Sequence, residues 1–520
     1  MKKIMNPILR GFNPDPSIVR VGSDYYLAVS TFEWFPGVFI YHSKDLVNWE
    51  FVSAPLDSLE KVDLRGLDSS CGIWAPNLTY SNGNFYLLYT IVHTATGRYK
   101  DTHNFMISSD KIDRNWTNPI FLNCSGFDPS LFHDDDRKWV VNMTIDHRIT
   151  KTRFSGIVIQ EFDEKNGKLI GSIYNIFKGT ELGVTEGPNI MKRNGYYYLT
   201  VAEGGTSYGH CVTCARSKSI IGKYEVAPNN PIIKSNPDTD YPIKRAGHGQ
   251  LVDTPNGDWY MSHLCARSVK HYSILGRETA IQNIIWDDDG WYRLEKGGNL
   301  ALDYYEVSEN IKYNYVKKSI KEDFNDAKLP WYFMTLRESF EDCQISLTKR
   351  KGWLSIKGGN SLSSKYKQAL LAKRQEALEY QCSVKMEFKP LSHHHMAGIT
   401  CYYNNNNYHY LRISRDEKLD ICINVTTSEN MELEESNYIS IGNTELVYLR
   451  AIVNVEKLDF YYSLDNNEYI KIGKTLDMKI ISDEHVNGNG FTGAMIGMTC
   501  QDLRGDGVYA SFDWFEYKEL

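Results

Sequence analysis

Apolar positions in the first 300 residues fall into short runs broken by polar turns, and no stretch keeps the period of a helix. The runs recur as a unit. Each unit opens on a head: Asp15-Pro16-Ser17-Ile18, Ala75-Pro76-Asn77-Leu78, Asp128-Pro129-Ser130-Leu131, Gly187-Pro188-Asn189-Ile190 and His248-Gly249-Gln250-Leu251. Successive heads stand about 53 to 61 residues apart. Behind each comes a polar turn and a β-rich segment, such as Asp24-Tyr25-Tyr26-Leu27 or Gly195-Tyr196-Tyr197-Tyr198. Gly, Asn and Asp between aromatic and β-branched runs mark hairpins. Five such units predict a five-bladed β-propeller, four strands to a blade around a central channel.

The repeat stops near Leu294, and residues 311–325 are mostly polar and charged, which marks a connector. Strict alternation returns in Tyr380-Gln381-Cys382-Ser383-Val384-Lys385-Met386 and in Val447-Tyr448-Leu449-Arg450-Ala451-Ile452. Turns such as Asn404-Asn405-Asn406-Asn407 separate these segments. The prediction is an all-β chain: a propeller over residues 1–310, a connector over 311–325 and an antiparallel jelly-roll β-sandwich over 326–520. The sandwich offers no acid pair suited to catalysis. Its expected role is to wall one side of the propeller's channel.

A length of 520 residues exceeds one ordinary core and agrees with two domains. No apolar run is long enough to span a bilayer, and a net charge of −7 without a basic run argues against nucleic acid. The opening Met1-Lys2-Lys3-Ile4-Met5-Asn6-Pro7 leads into no apolar leader segment, and the ten cysteines are scattered, so the expected setting is the reducing cytoplasm. Cys211-Val212-Thr213-Cys214 has no second pair with which to complete a zinc site. His393-His394-His395 alternates in direction, which argues against a metal role there. The 35 Tyr and 11 Trp suit a protein that stacks sugars, although packing accounts for them as well.

Equivalent positions in a propeller face one another across the axis. Asp15, Asp128 and His248 are equivalent, while Trp74 and Glu186 each lie one residue before the equivalent position. Three carboxyl groups far apart in sequence are therefore expected to converge in one funnel. Converging carboxylates are what hydrolysis of a sugar acetal needs: one takes a proton from water and one gives a proton to the leaving group.

These residues also sit in recognisable motifs. Asn6-Pro7-Ile8-Leu9-Arg10-Gly11-Phe12-Asn13-Pro14-Asp15-Pro16-Ser17 resembles the start of the β-xylosidases of glycoside hydrolase family 43. So do Ser30-Thr31-Phe32-Glu33-Trp34-Phe35-Pro36-Gly37-Val38, Thr185-Glu186-Gly187-Pro188, Ala202-Glu203-Gly204-Gly205-Thr206 and Leu275-Gly276-Arg277-Glu278-Thr279-Ala280. The resemblance covers essentially the whole chain. It implies an inverting exo-β-1,4-xylosidase that needs no cofactor, with Asp15 as general base, Glu186 as general acid and Asp128 as the acid that tunes and orients Glu186. It further implies Phe32 and Trp74 as pocket walls, Thr206 and Arg277 as polar contacts, and Phe491 as the sandwich residue that closes the pocket. His248 matches an axial histidine, which in some relatives lies beside a divalent cation such as calcium, and is the metal candidate. Phe39 and Asn189 depart from the expected pattern and bear on aglycone preference. Relatives of this type are often dimers or tetramers, so a homo-oligomer acting on xylo-oligosaccharides is expected.

A negative Asp128 beside Glu186 is expected to raise the pKa of Glu186 and keep it protonated near neutral pH. The nearest rival reading is an α-L-arabinofuranosidase or a dual enzyme, because arabinofuranose and xylopyranose present similar hydroxyls to one pocket. A non-catalytic carbohydrate-binding propeller is the reading from a different class, and retention of all three acids argues against it. Ser43-Lys44-Asp45-Leu46-Val47-Asn48-Trp49 lacks the Gly and the spacing of a sialidase Asp-box.

Overall fold

The computed structural model describes every residue except Thr239 and Asn314. Five antiparallel sheets follow one another along the first part of the chain. The first holds Ser17–Val21, Asp24–Val29, Phe39–Ser43 and Glu50–Ser53. Four sheets have four strands, and the fourth in order carries a fifth short strand. The inner strands Ser17–Val21, Gly72–Ser81, Ser130–Asp134, Glu186–Arg193 and Ile243–Asp253 each touch the next, and the last touches the first. The ring is a closed five-bladed β-propeller.

Local sequence explains the blades. Asn82-Gly83 and Asn194-Gly195 form two-residue loops between inner and second strands, and all four residues have positive φ, from 48° to 83°. That backbone matches the twist of a hairpin, and Asn and Gly tolerate it best. The ring is shut by contacts between its two ends. The Asn6 side chain donates to Ile281 O at 2.8 Å and accepts from Ile281 N–H at 3.0 Å. Arg20 makes a two-pronged pair with Asp253, and Lys2–Met5 pairs with Tyr304–Val307.

Two further sheets pack face to face around a second core that includes Tyr380, Tyr403 and Tyr517. This is the expected sandwich, with two differences. Ser319–Glu322 already pairs with Phe515–Lys518 of the sandwich, so the domain begins before residue 326. The strand is four residues long and only partly buried, which leaves it little hydrophobic signature. Secondly, Trp34–Phe35 of the propeller pairs with Phe333–Leu336 and forms the edge of a sandwich sheet. A two-residue strand has no readable period. Phe12 and Phe32 of the propeller and Leu336, Tyr402 and Met495 of the sandwich consequently share one core.

Candidate active site

The head position of every blade has a left-handed backbone: φ is 54° at Asp15, 26° at Ala75, 54° at Asp128, 59° at Gly187 and 52° at His248. For a residue other than Gly this conformation costs roughly 1–2 kcal/mol. Its recurrence at matched positions shows one backbone turn used five times; in three blades the inner strand also shifts register there, at Trp74/Asn77, Glu186/Asn189 and Gly247/Gly249. Where the head is Asp15, Asp128 or His248, the head side chain itself lines the axial cavity. Where it is Ala75 or Gly187, the preceding Trp74 or Glu186 does so.

The cavity measures about 220 Å³. All nine residues expected from the sequence line it: Asp15, Asp128, Glu186, Phe32, Trp74, Thr206, His248, Arg277 and Phe491. Asp15 accepts hydrogen bonds from the Ser30 hydroxyl at 2.7 Å and from Arg277 at 3.1 Å. Arg277 also donates to Thr206 Oγ1 at 3.3 Å and, through two nitrogens, to the Phe491 carbonyl at 3.1 and 2.8 Å. Asp128 accepts from the Gly187 N–H at 3.0 Å, next to Glu186. The walls are aromatic. Trp74 lies 5.9 Å from Phe32, 5.5 Å from Phe491 and 5.2 Å from Phe127 between ring centroids. The Phe491 N–H donates to Ser70 Oγ at 3.2 Å, and Trp74 Nε1–H donates to Ser70 O at 3.0 Å. One propeller residue thus holds a wall from each domain.

The electrostatics correct one expectation. Glu186 is raised to about 7, and the leading cause is burial; the Lys100 ammonium opposes the rise and Asp15 adds to it. The charge of Asp128 is not the primary cause. Asp128 is itself raised, by burial first and then by Glu186 and Asp15, so the two carboxyls compete for a proton. The backbone N–H on Asp128 favours its ionised form. Among the described residues Glu186 has no such donor, and we place the proton there.

Sequence reasoning missed Lys100, Phe127, Phe154, Val184 and His210, which also line the cavity. The Lys100 ammonium lies 4.9 Å from the Trp74 ring centre. His210 is pushed down to about 3, chiefly by burial, and pairs through Nδ1 with the Arg245 carbonyl at 2.9 Å. The carbonyl can only accept, so Nδ1 carries the hydrogen and Nε2 is an acceptor. None of the five stands at a blade head, and no local motif marks them.

Gly187 is bound by space as well as by φ. A Cβ there would stand 2.8 Å from His248 Nδ1. Gly187→Ala is expected to displace His248 and the neighbouring Glu186 and to lower kcat/KM by about 10²-fold, as a shift near 1 Å in a reacting group does. Steady-state kinetics check it, and unaltered kcat/KM overturns this account of the glycine.

Among the described residues, no three His, Cys, Asp or Glu side chains are placed to hold a metal ion. His248 brings one nitrogen, whereas calcium takes six to eight oxygens. The residues present do not fit a calcium site built from protein ligands, and no step below passes through a metal.

Comparison with known proteins agrees with this architecture. Residues 4–292 match the model of glycosyl hydrolases family 43, and residues 321–518 match that of the beta xylosidase C-terminal concanavalin A-like domain. A beta-xylosidase of Bacillus subtilis (strain 168) is 43% identical, over 99% of this chain and 100% of its own. Xylosidase/arabinosidase 43B of Humicola insolens is 44% identical, over 100% of this chain and 98% of its own. The crystal structure of xylan beta-1,4-xylosidase from Bacillus halodurans C-125 superposes with a TM-score of 0.97 at 44% identity, covering 99% of this chain and 100% of that one. Propeller and sandwich are thus matched along nearly the full length, and the chain belongs to glycoside hydrolase family 43.

Proposed function

We propose that the protein is an inverting exo-β-1,4-xylosidase that releases xylose from the non-reducing end of short xylo-oligosaccharides. The observation that carries this reading is the meeting of Asp15 and Glu186 in one small cavity closed by Phe491. A cavity of about 220 Å³ is below the size that holds drug-sized ligands and suits a single sugar. Names of relatives with xylosidase activity support the substrate class.

In this reading a water on the Asp15 side attacks the anomeric carbon and gives its proton to Asp15. Glu186 donates its proton to the glycosidic oxygen as the bond breaks. Acid and base in such enzymes lie about 6.5–9.5 Å apart, which leaves room for the water. Arg277 is tied to Asp15, Thr206 and the Phe491 carbonyl, so it orients the base and presents its one remaining N–H to a sugar hydroxyl. Asp128 competes with Glu186 for a proton and braces the turn at Gly187. His210 offers its Nε2 as an acceptor, and Trp74, Phe32 and Phe491 form the apolar walls.

Proton NMR of xylobiose hydrolysis tests this reading. α-Xylose is expected first; β-xylose appearing first overturns inversion. The name Xylosidase/arabinosidase of one relative favours arabinofuranosidase activity as a second activity. Faster turnover of p-nitrophenyl α-L-arabinofuranoside than of the xyloside would make it the main one. All ten cysteines are free and nine are buried, which supports the proposed cytoplasmic setting; cell fractionation tests it. The proposed homo-oligomer is tested by light scattering. A cation held through water beside His248 is tested by the melting temperature with EDTA and with added calcium.

A further inference from the structure

The aglycone side of the cavity is cationic. Two loops meet beside it, residues 97–101, from which Lys100 lines the cavity, and residues 146–153, which lead into the lining residue Phe154; together they carry Arg98, Lys100, Arg148, Lys151 and Arg153 against Asp101 and Asp146, within a chain whose net charge is −7. Arg98 knits the loops together by donating to the carbonyls of Asp146, His147, Arg148 and Lys151. Arg148 is paired with Asp146 at 2.6 Å, and among the described residues the other four rim cations have no ion pair. Nε and Nη2 of Arg153 are buried and have no hydrogen-bond partner among the described residues.

The cavity does not need this charge. With the proton on Glu186, the carboxylates of Asp15 and Asp128 are balanced by Arg277 and Lys100, which is lowered only to about 8, mainly by burial and then by the charge of Arg153. Arg153 is a surplus cation close to Lys100, and Lys100 acts on Glu186. Glu186 marks the leaving-group side, so Lys100, with Arg153 close behind it, borders the sugar that departs. Beside them Tyr99, 69% exposed, stacks on His147 at 5.6 Å and 7°, a flat shelf for a sugar ring. Phe154, next to Arg153, packs on Phe127 at 6.2 Å and lines the cavity, which fixes the loop to the site.

We propose that this rim binds a carboxylate carried by the departing part of the substrate: the enzyme takes xylo-oligosaccharides whose sugar next to the cleaved bond bears a uronic acid, with Arg153 as the principal partner and Lys151 supporting it. Arg153 meets the carboxylate through Nη1, the nitrogen of its guanidinium that is not buried, and a guanidinium gives up water more readily than an ammonium. The inference rests on the xylosidase reading and names its substrate class.

The test compares xylobiose with xylobiose carrying glucuronic acid on its reducing-end xylose. The quantity read is the ratio of kcat/KM for the acidic sugar to that for the neutral one. Low-salt wild type is expected to favour the acidic sugar, and Arg153→Gln to lower the ratio about fivefold, as loss of a partly buried ion pair does. The exposed Lys151→Gln is expected to lower it less, which guards against misfolding of the Arg153 variant. In wild type, 0.5 M NaCl should shrink the ratio through screening. A ratio indifferent to salt and to both variants overturns the proposal. Calorimetric binding of the same two sugars is read alongside turnover. Binding of both without cleavage would defeat the xylosidase reading while the ratio of affinities still decides the rim.

Discussion

Glu186→Gln should cut kcat on xylobiose by about 10²–10⁴-fold, the usual contribution of a general acid, with KM changed little. The amide keeps the shape of the side chain in its buried site and removes the proton. The leaving group decides how much this matters. A sugar alkoxide needs the proton, whereas a nitrophenolate departs without it, so the loss on p-nitrophenyl β-D-xyloside should be far smaller. The pH profile gives a second signature. Glu186 acts in its protonated form and is raised to about 7, so wild-type activity should fall as pH rises through that value. The variant should lack this alkaline limb on the aryl substrate. Equal losses on both substrates, or a persisting limb, would move the acid's role to another residue.

Linkage adds a stability effect of definite sign. Folded Glu186 binds its proton up to about pH 7, against a value of 4.5 in the unfolded chain. The folded state therefore holds more protons in that window, and stability falls as pH rises across it. The loss is on the order of 3 kcal/mol at most, since the competing Asp128 takes part of the effect. Glu186→Gln should lose less stability than wild type between about pH 5 and 8, which denaturant melts at the two pH values measure.

The second large effect lies where the domains meet. Gly276→Ala would place a Cβ 1.8 Å from the Thr492 carbonyl and 2.6 Å from the Gly493 Cα, at a φ of +72°. Gly493 faces it in return, since a Cβ there would stand 2.5 Å from the Leu275 carbonyl. Two glycines permit this approach, and Ala494 N–H donates to Ile274 O at 2.9 Å across it. The same sandwich loop is anchored by Arg245, paired with Asp483 at 2.5 Å and with Glu484 at 3.0 Å. Arg277 follows Gly276 and binds the Phe491 carbonyl, so pushing the loops apart moves a pocket wall and the partner of Asp15 together.

Overpacking costs about 1–3 kcal/mol and the left-handed backbone roughly 1–2 more, so a melting temperature several degrees lower is expected. A fall in kcat/KM of about 10²-fold should accompany it. Gly22→Ala is the control: its φ is +64°, yet a Cβ there meets nothing within 4 Å. If both substitutions behave alike, the interface argument fails and only backbone strain remains.

Much of this protein was legible in its sequence because propeller blades are local. Turn pairs such as Asn82-Gly83 and the alternation of short strands act over a few residues, and the repeat of heads turns local rules into five blades. Rotational symmetry then brings Asp15, Asp128 and His248 to one axis, which is why the three acids and Trp74 could be placed together before any coordinates. Family motifs placed Phe32, Thr206, Arg277 and Phe491, which no periodicity marks. What remained hidden depends on contacts between distant segments. The rim joins residues 97–101 to residues 146–153 and concentrates charge that no run of basic residues reveals. The Trp34–Phe35 strand is too short to carry a period and gains its place only from Phe333–Leu336. The lift on Glu186 comes chiefly from burial, a property of the closed pocket rather than of neighbouring letters. The sequence by itself determined the fold and the chemical cast. The tertiary structure decided why Glu186 keeps its proton, how the loops of the two domains interlock and which distant cations meet, because desolvation and close approach exist only once the two domains have packed.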